Sequence, residues 1–582
     1  MYKPKIFKPI SEQWSLMLAY IVLIGWDSLL SNPFPKWFII FFQAYVVAAL
    51  TVVRYSKVKK AIFYVIIYLL FACELTLDWV FNMHISPSIL VLLAETNSRE
   101  SSEFLRALVD KPEMRNVLLC FVGMIMLNIW AEHSRSTVTT FLSRNRKAHW
   151  LKGLSILFLV TGLIMSASYL PLFTYDKTNQ VDEWCNYMRH PKDATTRLFV
   201  SVIDINIARQ EMEEAIIQAE RVNASPQTQS TTDSLNVILV IGESYIREHT
   251  PLYGYPLQTT PFLSHEKQAG RLFAFNDVVS PYNQTTKVIR NILSVNSLGN
   301  NENWRKFPPL TAIFKRNGYH VAIYDNQKTC GLADMFAFSL NTYLYHPRMQ
   351  HACYNEQNDS TFEYDGDLIS HYRRQTAGQT HTRQLLLFHL MGQHVAFAQR
   401  YPQQYAHFTA NSINFRHEKW LTSSMKEEIA HYDNATRYND DVLRQICELY
   451  GQENTVVVYL SDHGEEVYDY REKYGRDDFG LGDSPCQLLR YQYAVPFMVW
   501  CSDKYIKNHP QTIEALRQSL DNPLMLDNTC HLLFHLSDLR TPYYRPVTDV
   551  LSPNYHCPKR IVNDQVDYDS IMTSRQKFAK NI

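Results

Sequence analysis

The chain carries no net charge: Lys+Arg and Asp+Glu both number 57 among its 582 residues. A basic nucleic-acid-binding protein is therefore not expected, because such binding rests on neutralising phosphates with an excess of Lys and Arg. Charged residues make up only 20% while aromatics reach 13%, a balance that excludes wholesale disorder. The ten cysteines show no C-x-x-C spacing, which argues against a thiolate zinc site. The N-terminus has a basic start and an apolar run but lacks a small-x-small cleavage site, so it reads as an uncleaved anchor.

What is present is unevenly placed. The length exceeds one ordinary core, so two or more folding units are expected. The mean hydropathy of −0.24 suits a soluble protein, yet the apolar residues concentrate in the first third. Five segments there approach the ~20 apolar residues that a membrane span needs: Trp14–Ser31, Trp37–Val53, Ala61–Phe81, Asn116–Trp130 and Trp150–Pro171. Basic residues at Lys3, Lys5 and Lys8, at Arg54, Lys57, Lys59 and Lys60, and at Arg135, Arg144, Arg146 and Lys147 mark the cytoplasmic side. An odd number of spans then places everything after Pro171 outside. Glu74 and Asp78 lie one turn apart in the third span, either near its wet outer end or in a functional role. The outward loop His84–Glu113 reads as lying along the membrane surface, and Phe199, Val202, Ile203, Ile207, Ile216 and Ile217 as an amphipathic helix at or near it. A polar linker, Asn223–Ser234, follows. The expected domains are 1–171 (membrane), 172–234 (interfacial helices and linker) and 235–582 (outer).

The outer part opens on Asn236–Gly242, a continuous apolar run that suits a strand buried on both faces. Similar runs recur at His320–Tyr324, Gln384–Leu390, Thr455–Leu460 and Tyr493–Trp500, separated by helical stretches such as Pro309–Arg316 and Asp433–Tyr450. This alternation predicts an α/β fold with a mainly parallel central sheet, whose chemistry gathers at the carboxyl ends of the strands. Those ends supply Glu243, the pair Asp462-His463, and His394. Carboxylate and imidazole together suit Zn²⁺. The helical spacing of Val288, Ile289, Ile292 and Leu293 predicts a helix that starts at Thr285-Thr286. A hydroxyl there is either a plain N-cap or a nucleophile beside the positive end of the helix dipole.

The outer domain resembles the sulfatase and alkaline-phosphatase superfamily, and the whole chain resembles the bacterial lipopolysaccharide phosphoethanolamine transferases. The residues that carry the likeness are Val240-Ile-Gly-Glu243-Ser with Leu252-Tyr-Gly-Tyr-Pro256, the Thr285 segment, His389-Leu-Met-Gly-Gln-His394 with Arg400-Tyr-Pro402, Tyr432-Asp-Asn-Ala435 and Ser461-Asp-His-Gly-Glu465, with Glu95-Thr-Asn97 in the outward loop. Ser461-Asp-His-Gly-Glu-Glu-Val-Tyr468 is similar to the branch that modifies the lipopolysaccharide core. The resemblance implies a five-helix transmembrane bundle followed by a sulfatase-like domain in the periplasm, anchored in the inner membrane. It implies that Glu243, Asp462 and His463 hold a catalytic zinc, with Thr285 as fourth ligand and nucleophile; the register through Leu293-Ser294 selects Thr285 over Thr286. His394 would contact phosphate or a second metal. The implied donor is phosphatidylethanolamine and the implied acceptor lipopolysaccharide or lipid A, handled at a membrane by a monomer, with no nucleic acid.

One departure stands out. Family members carry another His soon after the Ser-Asp-His-Gly turn, whereas here none occurs between His463 and His509. The stretch holds Arg471, Lys473, Arg476 and Arg490 instead, so one of these cations is expected to hold phosphate where a second metal would sit. Eight cysteines fall in the outer part (Cys185, Cys330, Cys353, Cys447, Cys486, Cys501, Cys530 and Cys557) and permit up to four disulfides in an oxidising compartment. Two rival functions share these features: a phosphoglycerol transferase acting on a glycan or polymer, and a non-catalytic membrane sensor.

Overall fold

The computed structural model describes residues 57–81, 111–144, 210–223, 234–328, 340–476, 485–564 and 566–573. The chain divides into two compact units, the first holding residues 1–209 with 335–337 and the second the remainder. The first, second and fifth expected spans, the outward loop and most of the linker lie outside the described residues.

In the first unit, helices α1 (Lys57–Phe81) and α2 (Pro112–Arg144) contain the third and fourth expected spans. Their shared core is Phe71, Leu75, Val117 and Met124, with Tyr68 set edge-on against Phe121. Apolar side chains such as Val65, Leu69, Leu119 and Met126 face outward, while Glu74, Asp78 and Asn128 are buried. That is the reverse of a water-soluble helix. Both acids are thus buried within protein. Among the described residues one stretch, Glu113–Trp130, is long and apolar enough to cross a membrane. The polar residues after Trp130, expected to form a loop, continue α2 as far as Arg144.

The second unit is built on a seven-stranded sheet. In chain order its strands are β1 (Leu235–Gly242), β2 (Leu272–Phe275), β3 (His320–Asp325), β4 (Glu356–Gln357), β5 (Arg383–His389), β6 (Thr455–Ser461) and β7 (Phe497–Cys501). They lie in the order β2-β7-β6-β1-β5-β3-β4. The five strands from β6 to β4 are parallel, but β7 runs antiparallel to both β6 and β2. The sheet is therefore mixed, mainly parallel as expected, with its reversed strand at β7. An apolar run signals burial but not direction, so β7 read from sequence like its neighbours.

β1 is central and buried along all eight residues. Ile238 and Val240 pack with Leu386, Phe388 and Tyr459 against α5 (Asp365–Gln375) and α6 (Ser423–Leu449), through Leu368, Tyr372, Val442 and Ile446. By the two-residue period of a strand, Val237, Leu239 and Ile241 face the opposite side, and they are equally buried. Helix α6 starts ten residues before the expected Asp433, at a Thr422 cap whose side chain accepts from the Met425 N–H. Its first turns are polar and exposed, so they carry no apolar period to read.

Residues 210–223 form a helix whose apolar face, Met212, Ile216 and Val222 among others, is buried. It is tied to the rest of the second unit by Glu211–Arg305 (2.9 Å), Glu213–Arg348 (2.7 Å) and Glu220–Arg348 (2.8 Å). This part of the expected interfacial helix therefore docks on protein; residues 199–209 lie outside the described set. Six of the eight outer cysteines are described and each is free, so four disulfides do not form; Cys185 and Cys330 lie outside the described residues.

Candidate active site

Strand register brings the site together. Ile241 pairs with His389, Gly242 with Ser461, and Asp325 with His389. Glu243, Asp462 and the Asp325–His389 pair consequently leave the sheet at one edge. The backbone immediately after β1 is strained: Ser244 sits at φ 57, a left-handed conformation that costs a non-glycine residue of order 1 kcal/mol. Its surroundings hold it there. The Ser244 N–H donates to Asp462 Oδ1 (3.2 Å) and its hydroxyl to Glu243 Oε1 (2.8 Å). The Tyr432 hydroxyl donates to Ser244 O (2.6 Å) and accepts from the Ile246 N–H (2.7 Å). Two glycines allow the neighbouring loops to close in. A Cβ on Gly392 (φ 50) would lie 2.9 Å from the Glu243 N and O, and one on Gly464 would lie 2.0 Å from Tyr491 O.

Glu243, Asp462 and His463 are fully buried, and each offers a ligand atom within 4.8 Å of the others. His463 Nε2 lies 3.2 Å from Glu243 Oε1 and 3.0 Å from Asp462 Oδ2. Its Nδ1 faces Gly464 O at 2.9 Å, which fixes the ring with Nε2 toward the carboxylates. Asp462 Oδ2 is buried and makes no hydrogen bond beyond its 3.0 Å contact with His463 Nε2, while Oδ1 accepts from the N–H groups of Ser244 and His463. Two carboxylates and an imidazole, with one buried oxygen otherwise unpartnered, fit a Zn²⁺ ion. Burial opposes ionisation of Glu243, but His463, His394 and Arg476 outweigh it and hold the carboxyl well below the usual range. Burial and the Glu243 charge push Asp462 up. Burial and Arg476 would lower His463, but Asp462 and Glu243 raise it to about 9. Among the described residues no second group of this kind occurs.

Thr285 is the first residue of helix α4 (Thr285–Ile292). The N-cap is Gln284, which makes no side-chain cap bond. The Thr285 hydroxyl instead donates to Glu243 Oε2 (3.1 Å) and lies 3.2 Å from His463 Nε2. The hydroxyl is thus engaged with the carboxylate–imidazole group.

His394 is half-buried, and its Nδ1 has no hydrogen-bond partner. Burial, with Arg400, Arg476 and His463, lowers it to about 4 against the pull of Glu243, so the ring is neutral at neutral pH. Of the four expected cations, Arg471 is held by Glu466 (2.6 Å) and Arg490 by Glu248 (2.9 Å). Arg476 reaches the centre: its guanidinium donates to Asn283 O (2.8 Å), contacts His463 Nε2 and lies 3.4 Å from Glu465. Sequence reading does not single out Gln327, whose Nε2 touches Glu243 Oε2 (3.3 Å), or the buried Asp325–His389 pair (2.9 Å). The available signal was their position at the ends of β3 and β5.

Residues 235–523 match the sulfatase family. The chain is 28% identical over 359 residues to phosphoethanolamine transferase EptC of Escherichia coli strain K12, covering 60% of this chain and 59% of that protein. It is 25% identical over 529 residues to phosphoethanolamine transferase CptA of Salmonella typhimurium, covering 88% and 87%. The second unit is similar to the crystal structure of the C-terminal periplasmic domain of Escherichia coli EptC in complex with Zn, at 26% identity and TM-score 0.50 over 60% of this chain and 98% of that one. The fold also resembles the integral membrane lipooligosaccharide phosphoethanolamine transferase EptA of Neisseria meningitidis, at 16% identity and TM-score 0.54 over 91% and 97%. Over residues 235–523 the chain is thus similar to the sulfatase family, and it is similar to the lipopolysaccharide phosphoethanolamine transferases.

Proposed function

We propose that the protein transfers phosphoethanolamine from phosphatidylethanolamine to lipopolysaccharide, on a core sugar or lipid A, through a covalent intermediate on Thr285. The catalytic domain would lie in the periplasm, anchored in the inner membrane by the expected five-helix bundle. The observation that carries this reading is the Thr285 hydroxyl, which starts a helix without capping it and lies 3.1 Å from Glu243 and 3.2 Å from His463. Glu243, Asp462, His463 and Thr285 would hold Zn²⁺, which when bound offsets charge on the attacking oxygen and the phosphoryl group.

The residues themselves supply the rest. Thr285 Oγ1 already directs its proton at Glu243 Oε2. Oγ1 attacks phosphorus and the phosphorus–oxygen bond to diacylglycerol breaks, the leaving oxygen taking a proton. The acceptor oxygen then attacks the same phosphorus, the bond to Thr285 breaks, and the proton the acceptor gives up restores the Thr285 hydroxyl. One difficult displacement becomes two easier ones. Free N–H groups at the start of α4 favour the growing negative charge. Arg476, in the stretch that lacks the further His, would hold the phosphoryl group with a fork suited to two phosphate oxygens. Neutral His394, with an unpartnered Nδ1, is placed to hydrogen-bond the phosphoryl group.

Cells with and without the protein can be compared by mass spectrometry of lipid A and core. Added phosphoethanolamine supports the reading; unchanged lipopolysaccharide, or a phosphoglycerol product, refutes it. Arg476→Ala should lower the transfer rate about 100-fold, the scale for one donor aimed at developing charge, as measured with purified protein and labelled donor lipid. Zinc affinity should also depend on pH. The metal replaces a proton on His463, whose metal-free value is about 9. Affinity should thus tighten by up to about tenfold per pH unit as pH rises toward 9, and a flat profile in chelator competition would count against His463 as a ligand.

A further inference from the structure

Among the motifs without a role in the chemistry are Leu252-Tyr-Gly-Tyr-Pro256 and Tyr432-Asp-Asn-Ala435. They meet at His249. This imidazole is 2% exposed and is bonded at both nitrogens, Nδ1 to Asp433 Oδ1 (2.7 Å) and Nε2 to Asp469 Oδ1 (3.0 Å). Tyr255 stacks on the ring and donates its hydroxyl to Asp433 Oδ2 (2.7 Å), while the Tyr432 ring meets it edge-on. Three pieces of chain converge there: the segment that follows Glu243, helix α6, and a hairpin that follows His463.

The hairpin pairs Glu466–Val467 with Tyr474–Gly475, and the residue immediately after its return strand is Arg476. Asp469 lies in its turn and also accepts from the Val467 N–H through Oδ2 (2.8 Å). Tyr468 beside it is held at φ 57, with Arg416 donating to the carbonyls of Tyr468 and Asp469. Displacement of this turn would therefore move the Arg476 guanidinium.

We propose that His249 is a positioning residue, which ties the hairpin carrying Arg476 to helix α6 and to the segment after Glu243, and so sets the guanidinium against bound phosphate. This rests on the reading of Arg476 as the phosphate cation. A protonated imidazole donates from both nitrogens and so satisfies both aspartates at once. Burial would lower its pKa, but Asp433 and Asp469 raise it to about 10. The other groups packed around it are the rings of Tyr255 and Tyr432, and Arg416 behind Asp469. With a folded value above the unfolded ~6.5, the stabilisation is complete below about 6.5 and is lost as pH rises through about 10.

The test uses full-length, zinc-loaded protein in detergent, with inorganic phosphate as the probe in calorimetry and zinc affinity measured by chelator competition. His249→Gln and Asp469→Asn should each weaken phosphate binding about tenfold, the size of coupling within one hydrogen-bonded network, with zinc affinity preserved. Neither should weaken it further in an Arg476→Ala background. Wild-type phosphate affinity in both variants, or the same further loss without Arg476, would overturn the proposal. Unchanged affinity in Arg476→Ala alone would overturn the role of Arg476, and this inference with it. Should His249→Gln fail to fold, Asp469→Asn decides the matter, because its amide oxygen can still accept from the Val467 N–H.

Discussion

Thr285→Ala protein should transfer no measurable phosphoethanolamine, a loss of at least about 10⁴-fold, the scale set by removing a nucleophile. The change deletes the hydroxyl directed at Glu243 Oε2 and His463 Nε2. The helix should survive it. Thr285 is not the N-cap, and its hydroxyl makes no cap bond, so alanine at the first helical position costs little. Circular dichroism should therefore remain near wild type while transfer disappears; zinc, left with three of its four proposed ligands, should bind more weakly. Thr286→Ala is the matched control. One residue along an α-helix turns a side chain by about 100°, so the second threonine does not share the direction of the first, and most transfer should remain. Undiminished transfer by Thr285→Ala would remove the covalent mechanism.

Asp462→Ala should bind zinc more than about 100-fold more weakly, since loss of a direct ligand exceeds the 10–100-fold typical for residues that merely support ligands. Asp462 does two things at once. Oδ2 is the buried oxygen with no hydrogen bond beyond its contact with His463 Nε2, and Oδ1 accepts from the N–H groups of Ser244 and His463. Alanine removes both functions and leaves two buried donors unsatisfied, at about 1–3 kcal/mol each. Asp462→Asn separates them, because an amide oxygen keeps the two N–H bonds while the charge is lost. Both variants should lose the stabilisation that excess zinc gives the wild type, about 2.7 kcal/mol at 100 times Kd, in thermal unfolding with and without metal. Full metal content in Asp462→Asn would show that the ligands lie elsewhere.

The parts of the site that could be read from the sequence are those fixed by local pattern. β1, β5 and β6 are uninterrupted apolar runs, so their ends, and with them Glu243, Asp462 and His463, could be located before any coordinates. The start of α4 was legible from the spacing of Val288, Ile289 and Ile292, but whether Thr285 caps the helix or faces the carboxylates depends on Glu243, 42 positions away. The direction of β7 has no signature in Phe497–Cys501 itself. The stripe along residues 210–223 was visible, but an apolar stripe does not declare its partner; Arg305 and Arg348 do, and both are distant in sequence. His249, Asp433 and Asp469 are joined by contacts 184 and 220 residues apart, so nothing local marks them as a unit. The choice of Arg476 among four cations depends in the same way on Glu466 and Glu248 engaging Arg471 and Arg490.

The most direct test of the central claim is the site of covalent attachment. Purified full-length protein incubated with phosphatidylethanolamine and no acceptor should retain the phosphoethanolamine, because the second displacement lacks its nucleophile. Tandem mass spectrometry of the peptide spanning Ser280–Ser294 should locate the added group on Thr285, and Thr285→Ala protein should show none. An adduct on Thr286 or on a residue outside this peptide would contradict the account.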